Sequence, residues 1–202
     1  MISVIDYGVG NLGSILNMFR KIGVPAQLVT TPEQVLQAEK LLLPGVGAFD
    51  HAIRELATRG LIAPIKQQAL ERRTPVLGIC LGMQLLGTGS DEGELPGLNL
   101  IPAHSRLFKF AQPNLKVPHM GWNLIYPQKP SPLLDNLTHD ARFYFVHSYR
   151  VECAHAEDSL AETDYGGRFS SMIQRGNIMG SQFHPEKSHR FGMTLLKNFA
   201  GI

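Results

Sequence analysis

The chain has 202 residues, 44% of them hydrophobic and 18% charged, with a formal net charge of +2. That composition supports a sizeable buried interior and excludes a disordered chain, and the charge is too small and too scattered for a nucleic-acid binder. No apolar stretch reaches the length of a membrane span, the opening Met1-Ile2-Ser3-Val4-Ile5-Asp6 lacks a secretory leader's basic region, and two cysteines without a CxxC exclude a disulfide framework or zinc site, so a reduced, cytoplasmic setting with no metal or cofactor is expected.

In chain order, Ile2 to Ile5 reads as a first strand, and Ile15, Met18, Phe19 and Ile22 then recur at helical spacing. Gln27 to Val29 is a second strand, followed by a helix near Pro32 to Ala38 with proline suited to its first turn. Lys40 to Leu43 is a third strand that stops at Pro44-Gly45-Val46-Gly47. Phe49, Ala52, Ile53 and Leu56 mark one side of the next helix, another helix runs through Ile62 to Leu70, and Pro75 to Ile79 is a fourth strand. This βαβα order predicts an α/β fold with an open, mostly parallel, doubly wound sheet. After Gly87 the pattern changes. Phe143 to Arg150 alternates, with Phe143, Phe145, His147 and Tyr149 on one side; Phe169 to Phe183 reads as a hairpin turning at Arg175-Gly176-Asn177. Phe191, Leu195 and Phe199 belong to a last helix. The second half therefore adds a mixed, antiparallel extension. With no repeat, linker or low-complexity segment, one domain over 1–202 is expected.

Gly8 to Gly13, "GVGNLG", fits G-x-G-x-x-G between a strand and a helix. Dinucleotide binding also needs an acid about twenty residues on, to hold a ribose hydroxyl. The second strand instead ends Leu28-Val29-Thr30-Thr31, with no acid before Glu33. A tight glycine turn is the better account.

Gly78-Ile79-Cys80-Leu81-Gly82 is a cysteine version of the nucleophile elbow G-x-S-x-G. A sharp strand-to-helix turn strains its central residue and crowds the neighbours, hence the glycines. A helix starting at Leu81 turns free N–H groups toward the sulfur, which favours thiolate and places the Leu81 N–H for an oxyanion. Two accounts stand together here, an inert packed thiol and a nucleophile. A nucleophile needs a base that is itself held by a third group. Of eight histidines, His184 in Gln182-Phe183-His184-Pro185-Glu186 has the best setting. Pro185 favours an extended His184, and residues two apart on an extended chain face the same way, so Glu186 reaches the imidazole. A surface histidine in a proline turn is the bland alternative to Cys80-His184-Glu186.

At these residues the sequence resembles the triad-type (class I) glutamine amidotransferases, which carry an elbow cysteine and a C-terminal His-x-Glu. The resemblance runs nearly end to end, through "VIDYGVGNL" (Val4 to Leu12), "LPGVGAF" (Leu43 to Phe49), "LGICLGMQLL" (Leu77 to Leu86), "KVPHMGWN" (Lys116 to Asn123), "FYFVHSY" (Phe143 to Tyr149) and "QFHPEKS" (Gln182 to Ser188). "DYGVGN", "PHMGWN" and "FYFVHSY" point to one branch, glutaminase subunits that serve a separate synthase subunit in histidine biosynthesis. The resemblance implies a flavodoxin-like core and hydrolysis of the glutamine side-chain amide, with Cys80 as nucleophile, His184 as acid and base, and Glu186 steadying the imidazolium. It places the oxyanion donors at Leu81 and on the loop at Val46 and Gly47. It assigns substrate contacts to Gln84, Glu92, His147, Ser148 and Tyr149. Gln84 as a solvated helix former, and Phe143 to Tyr149 as plain core, are the bland alternatives.

The implied partner is a (β/α)₈-barrel synthase subunit in a heterodimer, which joins the ammonia to a phosphoribulosyl-formimino aminoimidazole ribonucleotide. Its contact surface is expected to include Trp122 and Lys187. Asn99 and Ala103 stand where the family more often has glycine, and Asp91 where a second glutamate is common, which touches loop shape rather than chemistry. The rival classes are another cysteine hydrolase of the same fold, a dinucleotide-binding module, and a binding subunit without activity.

Overall fold

Four short apolar segments build the centre of the molecule. The computed structural model describes residues 1–110 and 115–202. Strand β1 (Ile2–Ile5) is wholly buried. Helix α1 (Leu12–Lys21) follows, then β2 (Ala26–Val29), α2 (Pro32–Leu36), β3 (Leu41–Leu43), α3 (Phe49–Thr58), α4 (Ile62–Lys66), β4 (Val76–Ile79) and α5 (Leu81–Leu85). β1 pairs in parallel with β2 and β3, and β3 in parallel with β4. Alternation along these strands feeds two apolar layers. Ile5, Leu41, Leu43 and Val76 face one, whereas Val4, Leu42 and Leu77 face the other. A parallel sheet covered on both sides requires this two-sided apolarity.

Local signals set the helix ends. Pro32 opens α2 behind a capping box in which Thr31 and Gln34 satisfy each other's backbone amides. The Asn11 side chain accepts from Ser14 N–H at the start of α1. The helix expected over Ile62 to Leu70 divides. α4 ends at Lys66, and Gln67–Glu71 continues as a wider turn whose Arg72 N–H reaches back to Gln67 O.

The second half contains β5 (Gly89–Ser90), β6 (Ala103–Leu107), β7 (His119–Leu124), β8 (Tyr126–Pro127), β9 (Arg142–His147), β10 (Tyr149–Cys153), β11 (Ser159–Asp164), β12 (Arg168–Arg175), β13 (Ile178–Ser181) and α6 (His189–Gly201). The main sheet runs β2-β1-β3-β4-β13-β12-β10-β6-β5, with β11 added on β12 and β8 on β11. β13 lies parallel to β4, and β12 returns antiparallel to β13 through the expected turn, with Arg175 opposite Ile178. The fold is thus an open α/β sheet, parallel through β13 and antiparallel from there to β6, with the short β5 parallel to β6 at the far edge. Ile15 and Phe19 of α1 pack in one layer with Leu195, Leu196 and Phe199 of α6; α3 and α5 fill the other.

One expectation is corrected. Phe143 to Arg150 is not a single strand. β9 pairs with β7 in a separate ribbon, the chain leaves that ladder at Ser148, and β10 joins the main sheet beside β6 and β12. Phe143, Phe145 and His147 are buried, whereas Tyr149 is only partly covered. Asn99 keeps a left-handed backbone at φ +53°, a conformation asparagine tolerates better than most residues, and its side chain bonds Gly97 O.

Candidate active site

The site forms where β4 and β13 end side by side. Ser181 pairs with Ile79, and the Cys80 N–H donates to Ser181 O at 2.8 Å. Cys80 then turns sharply, at φ +54° and ψ −110°, into α5. A non-glycine residue in this region is strained, and such strain persists only where the surroundings dictate it. Here they do: a Cβ on Gly82 would lie 1.9 Å from Leu43 O, and one on Gly78 would lie 2.6 Å from Gly82 O. The backbone thus passes through a gap that admits only glycine on either side of the cysteine. Because α5 is just five residues long, the positive end here comes from its first-turn amides rather than from a long helix dipole.

His184 reaches the cysteine from the neighbouring strand. Its N–H donates to Tyr144 O at 2.9 Å, its carbonyl accepts from the Ser188 hydroxyl at 2.6 Å, and that hydroxyl accepts from Tyr144 N–H at 3.0 Å. His184 Nδ1 lies 2.7 Å from Glu186 Oε1. The contact expected from an extended chain is present, but by another route. His184 is extended, and Pro185–Lys187 then forms a short 3₁₀ turn that carries the carboxylate back under the ring.

Both partners are almost fully buried, and Glu186 Oε2 has no hydrogen-bond partner among the described residues. A buried carboxylate with a single partner strongly favours a cation beside it. Burial alone would lower the imidazole pKa, but hydrogen bonds to Cys80 and Glu186 overcome it and push His184 up to about 10. Cys153, in contrast, is half-buried, remote, and pushed up to about 11 chiefly by burial, as suits an inert thiol.

A cavity of about 350 Å³ opens over the sulfur. Val46, Gly47, Cys80, Leu81, Gln84, Glu92, His147, Ser148, Tyr149, His184 and Lys187 line it, together with Pro118 and Val146. Two of the residues singled out in the sequence lie outside it. Glu186 sits behind His184. Trp122 is an exposed side chain on β7, 46% accessible and stacked on His189 at 5.4 Å, rather than core. Gln84 is not a solvated helix residue. It is buried and donates to Gln182 Oε1 at 3.1 Å. Gln182, to which the sequence pattern assigns no role, is fully buried with Nε2 3.8 Å from Cys80 Sγ. Its place two residues before His184 on the same run was the available signal.

The loop Pro44–Gly47 lies against the elbow. A Cβ on Gly45 would meet Gly82 N at 2.8 Å and the Tyr7 hydroxyl at 3.0 Å, and that hydroxyl donates to Pro44 O at 2.6 Å. Gly47 is at φ +91° with open space around it. Just beyond, α3 starts at Phe49 without a capping side chain of its own. Glu92 supplies one, accepting from Phe49 N–H at 2.9 Å, while Asp50 accepts from the Glu94 and Leu95 amides. The loop bearing Glu92 is thereby tied to the helix that follows Val46 and Gly47. His147 has both ring nitrogens occupied, by Tyr149 O and by His119, so what it offers the cavity is carbon. The Gly8–Gly13 turn has no close helix contact at Gly13, and Thr31 at the end of β2 is used in the α2 cap.

The family model described as glutamine amidotransferase class-I matches residues 3–201. The chain is 48% identical over 202 residues to imidazole glycerol phosphate synthase subunit HisH 2 of Pseudomonas aeruginosa, covering all of both chains. It is 49% identical over 199 residues to the HisH 2 subunit of Methanococcus maripaludis, covering 98% of each. It is 46% identical over 205 residues to the HisH subunit of Bdellovibrio bacteriovorus, again covering both in full. Among solved structures, a glutamine amidotransferase superposes with a TM-score of 0.77 at 17% identity over 100% of this chain and 99% of the other. The structure of PurLQS from Thermotoga maritima gives 0.74 at 16% identity over 99% and 97%. These two likenesses concern the fold.

Proposed function

The chain belongs to the class I glutamine amidotransferases, within the HisH subunits of imidazole glycerol phosphate synthase, and from that premise we propose how its residues hydrolyse glutamine for histidine biosynthesis. Cys80 gives its proton to His184 as Sγ attacks the side-chain carboxamide carbon, and the carbonyl electron pair moves onto oxygen. His184 gives its proton to the departing nitrogen as the C–N bond breaks, which releases ammonia and leaves a glutamyl thioester. Neutral His184 then takes a proton from water as the water oxygen attacks the thioester carbon; the C–S bond breaks, glutamate leaves, and His184 returns the proton to Cys80 Sγ. Glu186 holds the ring in one tautomer and stabilises each imidazolium. Gln84, Glu92, Ser148 and Tyr149 hold the amino-acid end of glutamine. The observation that carries this assignment is the imidazole held 2.7 Å from a buried carboxylate in one cavity with Cys80, which stands at a glycine-flanked strand-to-helix turn.

The oxyanion needs two donors. Leu81 N–H is one and an amide at Val46 or Gly47 the other; each is worth roughly 3 kcal/mol of barrier. Gly47's open surroundings leave that peptide room to turn, so we assign the loop a resting form with the second donor turned away. Docking of the synthase subunit, a (β/α)₈ barrel, brings it in. The barrel's face is the exposed band around Trp122, Met120 and Val117, with Lys187 at the cavity mouth to meet an acidic group. Residues 1–202 act as one amidotransferase domain in a heterodimer. No described helix is long and apolar enough to cross a membrane, and a reducing cytoplasm keeps Cys80 unoxidised.

The test is ammonia release from glutamine with and without the synthase subunit and its ribonucleotide. The free chain is expected to run about 10²–10³-fold below the complex, the value of one oxyanion donor. Equal rates refute the regulated loop. In the same assay, Lys187→Glu is expected to weaken assembly and coupling, and unchanged behaviour removes Lys187 from the interface.

A further inference from the structure

Behind the cavity wall lies a chain of hydrogen bonds, buried at its two imidazoles, whose direction is fixed at every step. Asn123 Oδ1 accepts from Leu124 N–H at 2.8 Å, so its Nδ2 is the donor, to Asp164 O at 2.9 Å and to His119 Nε2 at 3.3 Å. His119 must then carry its proton on Nδ1, which faces His147 Nε2 at 2.9 Å. His147 in turn must carry its proton on Nδ1, which donates to Tyr149 O at 2.7 Å. The last bond closes over Ser148, the point where the chain passes from the β7–β9 ribbon to the main sheet. The His119 ring is clamped between Phe145 and Tyr165, at centroid distances of 4.7 and 4.0 Å, so it has one orientation. Burial holds both imidazoles neutral, pushing His119 down to about 4 and His147 to about 3. None of the catalytic steps uses His119.

Taking the glutaminase function proposed above as its basis, we infer that His119 is a positioning residue for substrate: through His147 it holds the Tyr149 carbonyl, and so fixes the Ser148–Tyr149 wall against which glutamine lies. Without a donor at position 119, His147 Nε2 becomes a buried acceptor with no partner, and the cheapest relief is a ring flip that leaves Tyr149 O with only its longer bond from Gln84 Nε2, at 3.4 Å. Substrate binding then suffers, whereas Cys80 and His184, on other elements, keep their relation.

Steady-state kinetics of the full chain with its synthase subunit test this. His119→Phe is expected to raise KM for glutamine about tenfold, the value of one buried hydrogen bond, with kcat and the rate of Cys80 alkylation by iodoacetamide close to native. His119→Asn, whose amide nitrogen stands near the place of Nδ1, is expected to restore KM. His119→Gln, whose amide lies near Nε2, is not. A native KM in the Phe or Gln variant, or a fall in kcat without rescue by Asn, overturns the inference. If the Phe variant does not fold, the Asn and Gln pair decides by the same criterion. In the native chain, ¹⁵N spectra are expected to show His147 neutral with its proton on Nδ1, and a proton on Nε2 overturns the inference by itself. Absence of any ammonia release by native chain defeats the glutaminase assignment instead, and the ¹⁵N result still decides the hydrogen-bond chain.

Discussion

Replacing Cys80 by alanine is expected to lower ammonia release from glutamine by at least about 10⁴-fold, with folding and assembly retained. The rate loss is that of removing a nucleophile from a triad that works as a unit, where losing the nucleophile alone costs about as much as losing all three members. The fold is spared for geometric reasons. The sulfur is one atom at the edge of a cavity, its polar neighbour Gln182 Nε2 stands 3.8 Å away, and Gln182 keeps its bond with Gln84. Alanine meets the same backbone strain at φ +54°, so that cost does not change. Thermal unfolding and co-purification with the synthase subunit should match native protein. Turnover by Cys80→Ala beyond a trace would show that another group attacks glutamine.

Gly82→Ala is expected to do the reverse, damaging fold and activity together. Its Cβ would lie 1.9 Å from Leu43 O and 2.9 Å from Leu43 C, both backbone atoms of the adjacent strand end. No side chain can rotate away, so α5 must separate from β3 and from the loop that follows it. Overpacking of this kind costs about 3 kcal/mol. The displaced elements are the two to which the proposed mechanism assigns the oxyanion donors, so the folded fraction should also lose about 10³-fold in rate. Urea denaturation followed by fluorescence measures the first effect and glutaminase assay the second. Gly13→Ala is the control: it sits in α1 with nothing within 4 Å, and should leave stability level or slightly higher. Native stability in Gly82→Ala would show that the elbow and the loop are not in contact in solution.

The parallel half of the fold was legible because β1, β3 and β4 are short, apolar and bounded by turn residues. What no local pattern reveals is adjacency. Ile178 to Ser181 reads as the arm of a hairpin, yet it also inserts beside β4 and so delivers His184 to Cys80. The switch of sheets at Ser148 was illegible for a related reason. Alternation continues through it in the sequence, and only the pairing of His119 with His147 on one side, and of Tyr149 with Leu107 on the other, breaks the strand. Within the site, the elbow was readable because steric crowding leaves a glycine signature. The His184–Glu186 contact was readable in outcome and misread in cause, since the chain turns where extension was expected. Gln182, the Glu92 bond to Phe49 and the His119 chain were missed. Each depends on a contact between segments far apart in sequence, and residue type at one end does not name the other.

The most direct measurement is acid quenching of native chain and synthase subunit during glutamine turnover, followed by mass spectrometry of the peptides. A glutamyl adduct on the peptide containing Cys80, discharged by hydroxylamine and missing from Cys80→Ala, is the expected result. Ammonia release with no adduct there, or with the adduct on the peptide containing Cys153, contradicts a thioester at the elbow and with it the division of labour among Cys80, His184 and Glu186.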